Sequence, residues 1–267
     1  MLHRGFPAVT PPAGMGNRLL AALPASDLDL LRPELEVIAL DQDEILSRAG
    51  DAIEYVFFPH SGAISLMIDM ADGRTVGTAV IGREGAVGTL SVFGPSPSAI
   101  TAVVRAAGTA ARIPASRFHA LFDRSPAIRR LVQSHLRALL IQFQLGSACN
   151  ALHPVEARMA RWLLQLRDRV DHDVLPLTQQ SLSQILGVRR TTVTLLMRKL
   201  RASGAIRSDR RGLIEIDPAR LAAVACECHN VMHLEVEEMF AMHPARSRAA
   251  ALPELRRMPG IKSGGAM

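Results

Sequence analysis

The sequence predicts an α+β protein, in which an antiparallel β-roll with flanking helices precedes a long dimerisation helix and a C-terminal winged helix-turn-helix. Short apolar runs separated by Gly, Asp and Pro fill residues 36–113, as expected for short strands joined by turns. One helical pattern then continues without an internal proline over residues 126–152. Two helical segments joined by a glycine follow it, and two strand-like runs come after them.

The composition favours a folded chain rich in helices. Hydrophobic residues make up 48% of the 267 residues and aromatic residues 4%, so the core is expected to consist of Ala, Leu, Val and Ile. The low aromatic content disfavours a surface that stacks the bases of single-stranded nucleic acid. The net charge of +6 is compatible with a polyanionic partner, although the location of the charge says more than its sum.

The cysteine content and the apolar runs predict a cytoplasmic protein. Cys149, Cys226 and Cys228 are too few for a disulfide scaffold, so we expect a reducing compartment. The N-terminus lacks a charged region followed by an apolar stretch, so no signal peptide is expected. No run reaches about 18 apolar residues, so we expect no membrane partner.

The N-terminal region predicts an arm followed by two short helices. Residues 1–16 are rich in Pro and Gly, which predicts a flexible arm. Asn17 and Ser26 are candidate N-caps, and we expect the helices over residues 17–23 and 26–35. These helices flank the predicted roll.

The region that follows predicts antiparallel strands. Asp72 and Gly73 lie between two apolar runs and predict a hairpin turn. Evenly spaced short strands of this kind are typical of a barrel or roll, and we assign residues 17–125 to a β-roll domain of the effector-binding type. Strands are expected over residues 37–40, 55–58, 63–68, 75–81, 86–92, 100–104 and 109–113.

Residues 126–153 predict a dimerisation helix. Apolar residues recur there at spacings of four, three and four, which places them along one face. The length suits a helix that pairs with a second copy, and an ordinary buried helix is the alternative. The predicted seam consists of Val132, Leu136, Leu139 and Phe143.

Residues 154–217 predict a winged helix-turn-helix. Thr178 is a candidate N-cap of the first short helix, and Gly187 can adopt the left-handed backbone that the turn between the helices needs. Two strand-like runs with a basic tip then predict a wing. Residues 187–212 hold eight basic residues against one acid, Asp209, and phosphate binding requires such a local concentration of charge.

The second helix of this unit has a polar, cationic face that suits the major groove of double-stranded DNA. Arginine forks to guanine edges, and threonine contacts a thymine methyl group or a phosphate. The expected base-edge residues are Arg189, Arg190, Thr191 and Thr194. The expected phosphate contacts are Thr178, Gln179, Arg198, Lys199, Arg207, Arg210 and Arg211. A solvated arginine-rich helical pair without a nucleic-acid role is the alternative.

The order of these parts and three stretches of sequence resemble the Crp–Fnr superfamily of transcriptional regulators. The stretches are Phe58-Pro59-His60-Ser61-Gly62, Gly82-Arg83-Glu84-Gly85-Ala86-Val87-Gly88 and the segment from Thr178 to Leu200. The resemblance implies a roll like a cyclic-nucleotide-binding domain and a homodimer that reads a two-fold symmetric DNA site. RNA polymerase is a further expected partner.

The matched positions argue against cyclic AMP as the effector. Family members that bind it use a glutamate after the glycine matched by Gly88 and an arginine in the following turn and strand. This chain has Thr89 instead, and no Lys or Arg lies between Arg83 and Arg105 to compensate a buried phosphate. The candidate pocket residues for another effector are Thr89, Ser91, Ser98 and Thr101. No cysteine precedes Cys149, so we expect no N-terminal iron–sulfur cofactor.

The remaining residues predict one helix over residues 218–242 and a disordered tail over residues 243–267. No phosphate loop, nucleophile elbow or pair of carboxylates stands out, so we do not expect an enzyme. The competing function is a small-molecule sensor that acts through a protein partner rather than through DNA.

The cysteines of the last helix leave a second interpretation open. On one helix Cys226, His229 and His233 would share a face, while Cys149 and His153 would join them only if folding brought them close. Structural zinc wants four ligands and usually a different cysteine spacing, so we expect no metal site. Metal binding or redox sensing is the alternative.

Overall fold

The structure of the protein, a computed structural model, describes residues 16–94, 96–170, 172–208 and 213–242. Most of the expected arm and the whole expected tail lie outside these ranges, and so do Arg210 and Arg211 at the tip of the expected wing. Within these ranges no helix is long and apolar enough to cross a membrane.

The described residues form a strand-rich N-terminal half and a helix-rich C-terminal half. The helices are α1 Arg18–Ala21, α2 Ala25–Leu31, α3 Ala115–Arg124, α4 Pro126–Leu152, α5 Val155–Val170, α6 Gln179–Leu186, α7 Arg190–Ala202, α8 Pro218–Val224 and α9 Cys228–Ala241. The strands are β1 Glu36–Leu40, β2 Ile45–Ser47, β3 Tyr55–Pro59, β4 Ala63–Asp69, β5 Thr75–Ile81, β6 Thr101–Ala106, β7 Gly108–Pro114, β8 Val174–Pro176, β9 Ile206–Ser208 and β10 Leu213–Ile216. Short 3₁₀ turns cover Arg32–Glu34 and Thr89–Phe93.

Two antiparallel sheets form the roll, which confirms the predicted fold class. One sheet has the strand order β1-β7-β3, and the other has the order β2-β6-β4-β5. Their inner faces bury Phe57, Ile64, Ile81 and Val104 in a common core. The predicted turn at Gly73 joins β4 to β5, and its φ of +80° explains the glycine.

Residues 86–92 do not form the predicted strand. Val87 makes an isolated bridge to Phe57, and the 3₁₀ turn begins at Thr89. Gly88 between them has a φ of +86°, and a Cβ atom there would lie 2.4 Å from the carbonyl oxygen of Tyr55. The chain therefore turns away from the sheet at Gly88, because only glycine fits this backbone so closely.

The predicted C-terminal helix over residues 218–242 is also wrong, because the chain forms α8 and α9 with a break between them. Ala225 is extended at φ −67° and ψ 151°. The break lets Leu221 pack into the core of the winged helix-turn-helix while Met239 packs into the core of the roll. A single straight helix could not bury both side chains.

The N-terminal helix is anchored by side-chain hydrogen bonds. Asn17 caps α1 as predicted, since its Oδ1 accepts from the backbone N–H of Leu20 at 3.1 Å. Its Nδ2 donates to the carbonyl oxygens of Pro59 and Gly85, each at 2.9 Å. The predicted cap at Ser26 is wrong, because α2 begins one residue earlier behind a proline.

Helix α4 covers the roll with the face that the sequence assigned to dimerisation. Val132 is 6% exposed and lies in the same core as Phe58, so it cannot reach a second chain. The other three seam residues pack against the roll of their own chain: Leu136, Leu139 and Phe143. The residues of the periodic seam therefore contact the roll, although three of them are only partly buried. Leu140 and Leu152 of the same helix are exposed.

A buried ion pair joins α5 to the roll. The Nε atom of Arg169 lies 2.9 Å from Oε1 of Glu84, and both side chains are less than 10% exposed. The same carboxylate accepts from the backbone N–H of Gly82 at 3.0 Å. A Cβ atom on Gly82 would lie 2.8 Å from Cβ of Arg169, so this close approach depends on the glycine.

His135 of α4 is buried against the roll. Its Nε2 atom lies 3.0 Å from the carbonyl oxygen of Ala86. Burial lowers the pKa of His135, although the contact with Ala86 and the charge of Glu84 oppose the shift. The folded chain therefore holds this imidazole in its neutral form at neutral pH.

The buried His135 predicts that the chain loses stability as the pH falls below about 6.5, the ordinary histidine pKa. In that range the unfolded chain takes up a proton that the folded chain refuses, so the unfolding free energy falls by up to about 1.4 kcal/mol per pH unit. Denaturant titrations at pH values from about 5 to about 7.5, spaced by about half a pH unit, measure this slope. His135→Gln should reduce the slope, with a remainder from His60, whose pKa burial also lowers.

The matched control is His119→Gln, because His119 lies near the surface. It should keep the wild-type slope. Equal slopes for both variants would contradict a buried neutral His135.

Candidate nucleic-acid interface

Helices α6 and α7 pack around a core that fixes the angle between them. Leu182, Ile185 and Val193 are at most 1% exposed, and Trp162 of α5 lies in the same core. A small sheet with the strand order β8-β10-β9 completes this domain. The sequence predicted β9 and β10 as the wing, but it did not predict β8.

The turn between α6 and α7 is built as the sequence predicted. Thr178 caps α6, because its Oγ1 accepts from the backbone N–H of Ser181 at 3.0 Å. Gly187 has a φ of +64°, which ends α6 in the left-handed conformation. The N–H of Val188 then donates to the carbonyl oxygen of Ser183 at 3.1 Å. These contacts fix where α7 starts.

The four predicted base-edge residues share the solvent-facing side of α7. All four are exposed: Arg189, Arg190, Thr191 and Thr194. The Oγ1 atom of Thr194 lies 2.8 Å from Oε1 of Gln179 and 3.0 Å from the carbonyl oxygen of Arg190. The structure thus brings Gln179, at the start of α6, to the same surface. The N-terminus of α7 adds its partial positive charge there.

The described phosphate candidates on α7 and in the wing are exposed, but Lys199 lies on the side of α7 that faces α5. Arg198 and Lys199 are exposed, and Nζ of Lys199 lies 3.1 Å from Oε2 of Glu156. Arg207 on β9 is exposed as well, with Nη1 at 3.9 Å from Oε1 of Glu215. Exposed ion pairs contribute about 0–1 kcal/mol, so these carboxylates do not hold the cations away from a phosphate.

One cation beside this surface was not predicted from the sequence. Arg74, at the tip of the β4–β5 hairpin, lines an open cleft of about 470 Å³ together with Gly187 and Arg189. Its Nε atom lies 2.7 Å from Oδ2 of Asp72. Nothing in the sequence connects residue 74 with residue 189, because only folding places the hairpin against the helix-turn-helix.

The helix-turn-helix also contacts the roll through a buried guanidinium group. Arg105 on β6 is 5% exposed, and its Nη1 donates to Oδ1 of Asp43 at 3.2 Å. Its Nη2 reaches Oε1 of Gln184 on α6 at 3.4 Å. Burial lowers the pKa of Arg105, and the charge of Asp43 only partly offsets this shift. The roll and α6 are therefore in direct polar contact.

The roll contains a cavity of about 270 Å³ between the 3₁₀ turn at residues 89–93 and helix α4. Thr89 and Ser98 line it, as do Leu139 and Phe143. The other two candidate pocket residues lie outside it, and Oγ1 of Thr101 is held 2.5 Å from Oδ2 of an aspartate, Asp69. None of the described residues that line the cavity carries a charge.

Four potential metal ligands meet where α4 ends. Their ligand atoms all lie within 4.8 Å of one another, and the residues are Cys149, His153, Cys226 and Cys228. The shared helical face that the sequence predicts for Cys226, His229 and His233 does not form. His229 and His233 instead contact Asp168 at 2.9 and 3.7 Å. Burial opposes ionisation of Asp168, but the hydrogen bonds from these histidines outweigh it and lower the pKa of the carboxyl group.

Comparisons with known proteins place two family matches on these two halves. The family model of the Crp-like helix-turn-helix domain matches residues 157–224, and that of the cyclic nucleotide-binding domain matches residues 37–125. A relative from Mycobacterium tuberculosis (strain ATCC 25618 / H37Rv) is a CRP-like cAMP-activated global transcriptional regulator. It is 24% identical over 207 residues, which cover 74% of this chain and 91% of the relative.

Solved structures with the same fold include two bacterial regulators. The c-di-GMP responsive global regulator CLP of Xanthomonas campestris is 19% identical, with a TM-score of 0.60 over 73% of this chain and 100% of its own. FixK2 of Bradyrhizobium japonicum is 17% identical, with a TM-score of 0.61 over 72% of this chain and 98% of its own. At these identities the likeness concerns the fold alone.

The left-handed turn at Gly187 predicts a selective loss of stability on substitution. Gly187→Ala should destabilise the domain by about 1–2 kcal/mol, because a Cβ atom is strained in this conformation. Gly187→Asn should cost less, since asparagine tolerates the left-handed region better. Denaturant unfolding of the two variants measures the difference.

Gly146→Ala is the matched control, because Gly146 lies inside α4 and has an ordinary helical backbone. It should be neutral or stabilising by up to about 1 kcal/mol. An equal loss for both alanine variants would contradict the role of the turn.

Proposed function

The chain belongs to the Crp–Fnr superfamily of transcriptional regulators, and we propose that it acts as a homodimer on a two-fold symmetric DNA site. The observation that carries the proposal is the exposed polar face at the start of α7. Two such helices, related by the dimer axis, would enter successive major grooves about 34 Å apart. A half-site would then be read by each copy of the chain.

In this proposal the residues of the surface divide into two roles. Arg189, Arg190, Thr191 and Thr194 read base edges. The phosphates are bound by Thr178, Gln179, Arg198, Lys199, Arg207, Arg210 and Arg211. The exposure of the described members supports this division, and Arg210 and Arg211 enter it from the sequence alone. Phosphate contacts fix the register of the protein on the duplex, while base contacts select the sequence.

We infer that the dimer forms along α4, where Leu136, Leu139 and Phe143 of the predicted seam are only partly buried in the single chain. Leu140 and Leu152 of the same helix are 55% and 77% exposed. Phe93, in the 3₁₀ turn beside α4, is 76% exposed. Burial of these three side chains between two copies would remove apolar surface from water, which supports association.

The effector of this chain, in our proposal, is an uncharged small molecule bound in the cavity of the roll. The relative from M. tuberculosis is described as cAMP-activated. The cavity here is lined by Thr89 and Ser98 among apolar residues, and Arg105 is engaged by Asp43. A cyclic phosphate would lack a compensating cation among the described lining residues, so an anionic ligand is disfavoured.

We propose that this regulator works in the cytoplasm, where DNA and RNA polymerase are available as partners. A regulator without catalytic activity fits the family and the absence of a recognisable catalytic set in the sequence. A sensor that acts through a protein partner is the alternative. This alternative predicts that double-stranded DNA does not compete with the protein partner for the basic surface.

The test of the proposed function is the salt dependence of binding to double-stranded DNA. A pool of duplexes with random two-fold symmetric half-sites is first selected at low salt, and the winner is titrated at several salt concentrations. If six to ten phosphates are contacted, affinity should fall by about 10³–10⁵-fold between 50 and 200 mM salt. The absence of binding to any duplex in dilute buffer would overturn the proposal.

Arg190→Ala should reduce sequence discrimination more than affinity for random DNA. Loss of one base-edge contact should weaken binding to the selected site by about 1–3 kcal/mol. Lys199→Ala should instead weaken binding to all sequences and reduce the salt slope by about 1. Fluorescence anisotropy with selected and scrambled duplexes measures both effects.

The remote control is Arg129→Ala, whose guanidinium contacts the carbonyl oxygen of Asp123 far along the chain from α7. It should bind both duplexes like the wild type. An equal loss of affinity on both duplexes for Arg190→Ala would contradict a base-reading role.

A further inference from the structure

Three thiols and one imidazole converge between the end of α4 and the break between α8 and α9. Sγ of Cys149 lies 3.5 Å from Sγ of Cys226, and Sγ of Cys228 lies 3.6 Å from Nδ1 of His153. The three cysteines are buried and His153 is partly buried. Each residue therefore places an atom that can bind a metal ion close to the other three.

We propose that Cys149, His153, Cys226 and Cys228 bind one Zn²⁺ ion in a tetrahedral site. Zinc bonds to sulfur at about 2.3 Å and to imidazole nitrogen at about 2.0–2.1 Å. A regular tetrahedron with these bonds separates sulfur from sulfur by about 3.8 Å and sulfur from nitrogen by about 3.6 Å. The separations of 3.5 Å between two sulfurs and 3.6 Å between sulfur and nitrogen are close to these values, and all four ligand atoms lie within 4.8 Å of one another. A set of three cysteines and one histidine is a common structural zinc set.

The orientation of His153 supports the proposal independently of the sulfur distances. Its Nδ1 atom faces the thiol of Cys228, and its Nε2 atom lies 3.2 Å from Oε1 of Glu227. Histidines that bind metals usually donate their other ring N–H to a carboxylate or carbonyl oxygen. Glu227 therefore occupies the position from which it would fix the ring and its tautomer.

The surroundings carry the charge that such a site requires. Three thiolates around Zn²⁺ leave a net charge of −1, and an isolated buried charge is costly. Arg161 is 3% exposed, and its Nε atom and that of Arg158 have no hydrogen-bond partner among the described residues. Both guanidinium groups interact electrostatically with the Cys149 thiol, so they offset the negative charge of the occupied site.

Other uses of the cluster fit the geometry less well. A disulfide between Cys149 and Cys226 would require a sulfur separation of about 2.05 Å, and the three thiols are free. An iron–sulfur cluster distributes its four protein ligands over two or four irons, so these ligands stand farther apart as a set than four atoms around one ion. Tetrahedral sites of sulfur and nitrogen suit zinc among single ions.

Such a site would join parts of the chain that no other covalent link connects. Cys149 and His153 lie at the end of α4, directly before α5, while Cys226 and Cys228 flank the start of α9. Zinc would therefore fix the C-terminal helix to the junction between the roll and the DNA-binding domain. The proposal concerns a structural metal and is independent of the proposed DNA binding.

The test begins with the metal content of the full chain, purified with its thiols reduced and without a chelator. Elemental analysis should find one zinc per chain, released when a mercurial reagent blocks the thiols. A separate sample, emptied by a chelator under reducing conditions and freed of the chelator, should then take up one Co²⁺ and show the thiolate charge-transfer and strong visible bands of a tetrahedral site. Failure of the reduced chain to take up either ion, or a weak octahedral cobalt spectrum, would overturn the proposal.

Surface variants then locate the site without disturbing the core. Glu227→Gln should weaken zinc affinity by about 10–100-fold, as expected when the partner of a ligating histidine is lost. Glu238→Gln on the same helix is exposed and should keep the wild-type affinity. Competition with a chromophoric chelator measures both values, and circular dichroism verifies that both variants are folded.

Variants of the ligands distinguish this site from the alternative site of Cys226, His229 and His233. His153→Gln should abolish the tetrahedral cobalt spectrum, whereas His233→Gln should leave it unchanged because His233 contacts Asp168. The reverse result would overturn the assignment. A Cys149–Cys226 disulfide in place of bound zinc, in mass spectra of the chain purified without a reductant, would also overturn it and would favour a thiol switch.

Discussion

Helix α4 packs against several neighbouring elements at once, and the arrangement of the whole chain follows from this constraint. Its seam residues Leu136 and Leu139 pack on the roll, which leaves the cavity between them and the 3₁₀ turn. Its end carries Cys149 toward the C-terminal segment. Since a helix is rigid over this length, the roll, the DNA-binding domain and α9 are positioned relative to one another by one element.

Polar contacts that exclude water make the attachment of the DNA-binding domain specific. The Arg169–Glu84 pair joins α5 to the roll. The guanidinium of Arg105 is paired with Asp43 inside the roll and also reaches Gln184 of α6. Both guanidinium groups are almost fully buried. Removing one partner of such a pair leaves a charge without compensation, so these contacts tolerate little displacement. The roll and α6 are therefore joined by a polar contact of a buried guanidinium group.

The similarity to cyclic-nucleotide-binding regulators describes the scaffold better than the ligand. The roll, the long helix and the winged helix-turn-helix occur in the matched order, and the family matches cover both halves. The cavity nevertheless lacks a cation among its described lining residues, and Thr89 occupies the position that the family pattern gives to glutamate. The cysteine cluster lies outside both the cavity and the DNA surface, so any metal there would act on the arrangement of helices.

Local sequence determined the elements whose signals lie within a few residues: the cap at Thr178, the left-handed Gly187 and the exposed cationic face of α7. These features depend on nearest neighbours along the chain and on helical period, so the base-edge candidates could be named from the sequence. Only the tertiary structure decided which surface each helical face meets. Val132 turned inward to the roll, Arg74 came beside the helix-turn-helix, and the break at Ala225 brought Cys226 to Cys149. Such contacts join distant segments through packing and backbone direction, which spacing along a single helix or strand does not encode.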